Sequence, residues 1–266
     1  MGQIIARAAL SVVAALLIPS CYGTHLAPPR LPGGATYAFD FVGRDDNTHV
    51  NVPAPRNLTL RQLVLQTDKA AVLVQDFHEP GDWAHRNYCG AGASQVLLSA
   101  WLPLVPDIES VASTARLNPS SGQTGSNTLA EINAYLDPVV MPMAGRSWYK
   151  GEHLESLDDV MTRIRSDITS EEAIRLFGHG APVMVQTMTR TMPGWNRWNA
   201  THMITIFAYD FTHHDPALDT VSYAETPSPL AGYRGPDFQT ISVQALWVAM
   251  QAYNRESPWD PINVIS

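Results

Sequence analysis

The chain is poor in several things that mark common protein classes. Two cysteines in 266 residues, Cys21 and Cys89, exclude a scaffold of several disulfides. No uninterrupted apolar run reaches the roughly 18–20 residues that a conventional spanning helix needs. Basic residues are scarce: Lys+Arg number 17 against Asp+Glu 25, for a formal net charge of −8. An acidic chain without a basic patch is a poor nucleic-acid binder, because phosphate contacts need clustered Lys and Arg. There is no internal repeat and no low-complexity tract. What is present is 45% hydrophobic and only 16% charged residues, enough for one medium domain with a real core or two small ones.

The N-terminus reads as an export signal. Arg7 gives a positive n-region, and Ala8 to Ile18 is an apolar run of the length of a signal-peptide h-region. Pro19 and Ser20 break it, so residues 1–20 are assigned as signal. Two cleavage sites fit. Ile18-Pro19-Ser20-Cys21 resembles a bacterial lipobox, which would make Cys21 a lipid-anchored N-terminus on the outer face of the cell membrane. An ordinary signal peptidase would instead cut near Gly23 and release the protein. Losing Arg7 leaves 16 basic against 25 acidic residues, so the mature charge is −9. Either way Cys21 is acylated or discarded, and Cys89 has no intramolecular partner. Thiols oxidise outside the cell, so a lone thiol there is either buried and inert or functional.

Residues 21–59 form a Pro/Gly-rich leader, with Pro28, Pro29, Pro32, Gly33, Gly34, Pro53 and Pro55 and one short strand near Thr36–Val42. Residues 60–258 carry no good domain boundary and are assigned to one domain, with 259–266 as a tail. Leu60–Gln66 reads as a helical turn and Ala70–Gln75 as a buried strand. Helices follow at Gln95–Leu102, with Cys89 at or just before the N-terminus, and at Ile108–Leu117, Thr128–Leu136 and Leu157–Phe177. The last is broken near Ser166–Ser170 and stopped by Gly178 and Gly180. The period then changes. Pro182–Met188, His202–Tyr209 and Thr220–Ala224 read as strands, and Ser242–Tyr253 as a final helix. Helices first and strands later make an α+β pattern.

Cysteine catalysis needs a thiol that is partly thiolate near neutral pH, a base within reach, and a group that orients the base. A helix N-terminus favours the thiolate, which singles out Cys89. Among nine histidines, His202 opens a mostly apolar strand, where polar side chains often serve function. Glu225 ends the next strand and can orient an imidazole, with Asp210 and Asp219 as competitors.

The run Asn87-Tyr88-Cys89-Gly90-Ala91-Gly92-Ala93-Ser94 resembles the cysteine motif of C39-like peptidases, a papain-like group. Three later landmarks fall in the family's order. They are Gly180-Ala181-Pro182-Val183, the His202–Asp210 strand, and Ala224-Glu225-Thr226-Pro227. The resemblance covers roughly residues 70–250. It implies a papain-like α+β fold, with N-terminal helices, the cysteine-bearing one among them, packed on a C-terminal antiparallel sheet. It implies Cys89 as nucleophile, His202 as general base and then acid, and Glu225 as orienting residue. It also implies Gln75 as the oxyanion-hole side chain. The substrate would be a peptide or peptide-like amide, cleaved through a thioester without cofactor or metal. Three positions depart from the family pattern. Gln75 lies fourteen residues before Cys89, which makes Asp76–Asn87 loop out; Ala91 replaces Pro; and Glu225 replaces Asp. These departures keep two other readings open: a non-catalytic papain-like module that binds peptide or cell-wall fragments, and an acyltransferase of the transglutaminase kind.

Other features read more simply. His213-His214-Asp215, with His78 or His85, lacks the spacing of a recognised zinc site and fits a polar turn. Asn57-Leu58-Thr59 and Asn199-Ala200-Thr201 match the glycosylation sequon. Trp195 and Trp198 precede His202 and can line a groove, whereas Trp247 fits the core equally well. Residues 118–127 read as a flexible, solvated loop.

Overall fold

The computed structural model describes residues 38–43, 48–53, 68–195, 199–227 and 232–266. The signal segment, Cys21, Leu60–Gln66 and Trp198 lie outside them. Within the leader region, β1 (Ala38–Gly43) and β2 (Thr48–Pro53) pair as an antiparallel hairpin. The first corresponds to the expected strand near Thr36–Val42; the second was not foreseen. Among the described residues no helix is long and apolar enough to cross a membrane.

The remainder is a mixed α+β structure around a seven-stranded antiparallel sheet. Its strands are β3 (Lys69–Ala71), β4 (Gly151–Glu152), β5 (Val183–Met188), β6 (Thr201–Asp210), β7 (Thr220–Ala224), β8 (Phe238–Ser242) and β9 (Val264–Ile265). Their spatial order is β4-β9-β5-β6-β7-β8, and β3 pairs with the far end of β6. The helices are α1 (Cys89–Ser99), α2 (Ile108–Thr114), α3 (Gly125–Ala144), α4 (Leu157–Ile168), α5 (Glu171–Phe177) and α6 (Val243–Glu256).

Both faces of the sheet are covered. Successive side chains of a strand point to opposite faces. Val183, Val185, Ile204 and Ile206 meet Val160 and Ile164 of α4 and Leu246 and Met250 of α6. Met184 and Met203 face the other way, toward Leu97 of α1, Val111 of α2 and Leu136 of α3. Every residue of β5 is therefore buried, which is why it shows no alternation of apolar and polar residues.

Local chemistry sets the helix limits. Ser156, Ser170 and Ser242 cap α4, α5 and α6 by accepting from backbone N–H groups three residues on. The break expected near Ser166–Ser170 is the junction of α4 and α5. Helix α3 runs well beyond the expected Leu136, through Pro138 and Pro142. These prolines are four residues apart on the exposed face, while Leu136 and Val140 are buried. The carbonyls they leave unbonded can take water, so the helix continues. At Gly180 any side chain is excluded: a Cβ there would lie 1.8 Å from the Ile168 carbonyl oxygen. The end of α4 thus packs directly on the segment that leads into β5.

Three expectations need correcting. The Ala70–Gln75 strand is only Lys69–Ala71, because pairing with β6 ends there. Residues 118–121 are exposed as expected, but 118–127 are not all loop: Asn118 and Gly122 close a tight turn and α3 starts at Gly125. Residues 259–266 are not a tail. They supply β9 between β4 and β5, and Asp260 is buried. Its carboxylate accepts from the Gly125 and Ile262 N–H groups, the Gln186 amide and the Tyr253 hydroxyl. One carboxylate so joins α3, β5, α6 and the C-terminal segment.

Glu131 of α3 is fully buried. Burial raises its carboxyl to about 8, with Ser94 of α1 opposing weakly. An acid raised in the fold favours the native state at low pH. That contribution declines from about pH 4.5 to 8 and totals on the order of 3–5 kcal/mol. Glu131→Gln therefore gains stability over wild type as pH rises through this window. Urea unfolding of both proteins at several pH values measures the gain, and a difference constant with pH would contradict it.

Candidate active site

Helix α1 begins at Cys89 itself rather than at Gln95. Its N-cap residue, Tyr88, makes no side-chain capping bond, so the first-turn N–H groups favour an anion there. Two contacts seat α1 on the sheet. The Thr205 hydroxyl of β6 donates to the Ala93 carbonyl at 2.7 Å. Gly92 lies against Thr226, where a Cβ would come within 2.7 Å of the hydroxyl oxygen. The small residues after Cys89 thus let the helix approach the segment that carries Glu225.

His202 and Glu225 are both buried. His202 Nε2 lies 2.8 Å from Glu225 Oε2, which leaves Nδ1 for the cysteine. The second carboxylate oxygen, Oε1, accepts from the Trp195 indole N–H at 3.1 Å. The Trp195 ring also stands edge-on to the imidazole, centroids 5.0 Å apart. Trp195 was expected only as a groove wall; here it holds the carboxylate and covers the base. Trp247 packs against the core between the sheet and α6.

The electrostatics follow. Burial pushes the Cys89 thiol up, but hydrogen bonding to His202 and its positive charge more than offset this. The backbone N–H groups of Met203 and Gly90 add to the same effect, and the thiol lies below its ordinary value. Burial pulls His202 down, yet the Glu225 charge and the hydrogen bonds to Cys89 and Glu225 raise it well above the usual imidazole range. Both directions favour a thiolate and imidazolium over the neutral pair.

Of the four residues expected at the site, three come together and Gln75 does not. The Gln75 backbone N–H donates to Ser99 Oγ, at the opposite end of α1, and its side chain is exposed. Ten residues of helix put that end about 15 Å from Cys89. The two competing carboxylates are also remote. Asp210 pairs with Lys69 at the far end of β6, and Asp219 binds the His213 N–H in the turn before β7.

The segment expected to loop out instead walls a cleft of about 330 Å³ that Cys89 and His202 also line. It is held by His85, which sits between Asp82 (2.6 Å) and Glu109 of α2 (2.5 Å). The Asp82 hydrogen bond is the main cause that raises His85 above its usual value. Glu79 of this segment lines the cleft and is buried. Burial pushes its carboxyl well above the usual carboxylate range, and the Cys89 charge adds to this. His202 and a hydrogen bond from the Tyr88 backbone N–H oppose it, and Glu225 raises it further. Sequence reasoning passed over Glu79, since an acid in a loop is ordinarily solvated. Elsewhere, Asp76, His78 and Asp237 bring potential ligand atoms within 4.8 Å of one another, and His78 pairs with Asp237 at 3.5 Å. The His213–Asp215 run forms the turn between β6 and β7.

No protein-family model matches the chain, and no curated protein matches it either.

Iodoacetamide should alkylate Cys89 quickly at about pH 6, where an ordinary thiol near about 8.5 is slow. His202→Ala abolishes this advantage. Glu225→Gln reduces it, because the imidazolium loses its counter-charge. Equal rates in the three proteins would exclude the ion pair.

Proposed function

We propose that this chain is an exported papain-like cysteine hydrolase of the C39-like type, cleaving an amide bond in a peptide or peptide-like substrate. The observation that carries the reading is the arrangement of Cys89, His202 and Glu225. A thiol at an uncapped helix N-terminus faces an imidazole whose other nitrogen is fixed by a buried carboxylate. The antiparallel sheet with the cysteine helix packed on one face supports the papain-like assignment. The cleft over Cys89 supports a substrate with apolar and polar parts, since Trp83 and Trp195 lie beside Asn87 and Asn199.

The chemistry is acyl transfer. The Cys89 thiolate attacks the carbonyl carbon, and the carbonyl π pair moves to oxygen. The intermediate collapses as the C–N bond breaks, and the His202 imidazolium gives its proton to the leaving amine. Water then attacks the thioester and loses a proton to His202. The C–S bond breaks, releasing the acid and restoring thiolate and imidazolium. Glu225 and Trp195 keep the imidazole in the one orientation that serves both halves. No metal or cofactor enters this sequence.

A mixture-based peptide library incubated with wild type and Cys89→Ala tests the reading. Wild type cleaves at least one sequence class, and the variant loses at least about 10³-fold in rate. Identical product patterns from the two proteins would falsify it. Addition of a primary amine identifies the acceptor: a hydrolase gives mainly free carboxylate, whereas a transferase gives mainly the amide.

A further inference from the structure

An oxyanion formed at Cys89 needs two hydrogen-bond donors. The first is the Cys89 backbone N–H, which points out of the helix end as first-turn N–H groups do. The second must be a side chain at the same mouth of the cleft, and Gln75 is at the wrong end of α1. Several side-chain donors line this mouth, and three of them also hold neighbours through one N–H each. The Asn87 amide donates to the Pro119 carbonyl at 2.7 Å. The Gln123 amide donates to the Thr128 hydroxyl at 2.7 Å. Arg86 donates to the Trp83 carbonyl and lies over the Trp83 ring, 4.6 Å from its centroid. Glu79 is 5% exposed, lines the cleft beside Cys89 and Gly90, and feels the charges of both catalytic partners.

We infer that Glu79, as a neutral carboxylic acid, is the second oxyanion donor of this site and takes the place that an amide fills in the papain-like pattern. The inference rests on the proposed function above. During attack the Glu79 O–H donates a hydrogen bond to the developing oxyanion and keeps its proton. When the C=O bond re-forms, that hydrogen bond weakens and no net transfer occurs. An ionised Glu79 would instead set a second negative charge against the oxyanion. The charged and titratable groups around it are Arg86 and Cys89 flanking the start of α1, His202 of β6, and Glu225 after β7. The Cys89 thiolate and Glu225 favour its protonated form, and burial does so most strongly. The resulting site has a built-in alkaline limit, because the donor disappears when Glu79 ionises.

Two reagents separate this role from the reactivity of the thiol. p-Nitrophenyl acetate acylates cysteine through an oxyanion and releases p-nitrophenolate; iodoacetamide alkylates it without one. The ratio of the two rates on Cys89 reports oxyanion stabilisation alone. It is measured for the full protein, Glu79→Gln and Glu79→Ala from about pH 5 to 9. In wild type the ratio falls as pH rises. In Glu79→Gln, whose amide donates at every pH, that fall is absent. In Glu79→Ala the ratio is about 10²–10³-fold lower at the acid end. Ratios that coincide in the three proteins while alkylation stays fast would overturn the role of Glu79 and leave the cysteine hydrolase standing. Slow alkylation of wild type at about pH 6 would overturn both.

Discussion

The buried contact between His202 and Glu225 is the constraint around which this molecule is organised. Two charges removed from water are costly unless each is paired and hydrogen-bonded. Here both carboxylate oxygens are used, one by the imidazole and one by the Trp195 indole. The imidazole spends its other nitrogen on the thiol. Much of the surrounding architecture serves this closed arrangement. Strands β6 and β7 bring residues 202 and 225 to the same end of the sheet. Gly92 lets α1 come close enough for Cys89 to complete the set. The segment before α1, held by His85, forms a wall of the cleft and carries Glu79 into it.

The site holds four ionisable groups in little space: Glu79, Cys89, His202 and Glu225. The shifts at Cys89 and His202 favour an ion pair, and the shift at Glu79 favours its neutral form. Ionising Glu79 would add a negative charge beside Cys89 and Glu225, against which only His202 and Arg86 stand. The same physics acts at Glu131, where a buried acid between α1 and α3 is held neutral by burial. Burial thus pushes two carboxyls close to α1 toward their neutral form, one in the core and one at the cleft.

The cluster of Cys89, His202 and Glu225 was readable because each member sits at the edge of a strong periodic signal. Cys89 precedes a run of small and apolar residues, His202 opens an apolar strand, and Glu225 closes one. The α4–α5 junction was legible from the polar Ser-Asp and Thr-Ser steps between two apolar stripes. What was missed lacks a period. β4 and β9 are two residues each, too short for alternation to register. Residues 259–266 looked like a tail because Trp259, Asp260 and Pro261 break any helical or strand pattern. Yet Asp260 is what anchors them. Gln75 was misplaced because the strand before it was read too long; with β3 ending at Ala71, the chain leaves the sheet earlier. Glu79 and the capping role of Trp195 depend on contacts between distant segments, and no local pattern encodes those.

The position of β9 also orders the birth of the fold in time. A ribosome delivers residues in chain order, and β9 comes after all six other strands of the main sheet. Until it arrives, β5 has one edge without its partner, and Asp260 has not yet joined α3 to α6. An unpaired apolar edge is a template for wrong pairing. The sheet that supports His202 is therefore completed late, and a nascent chain can carry the cysteine well before it has a finished sheet beneath it.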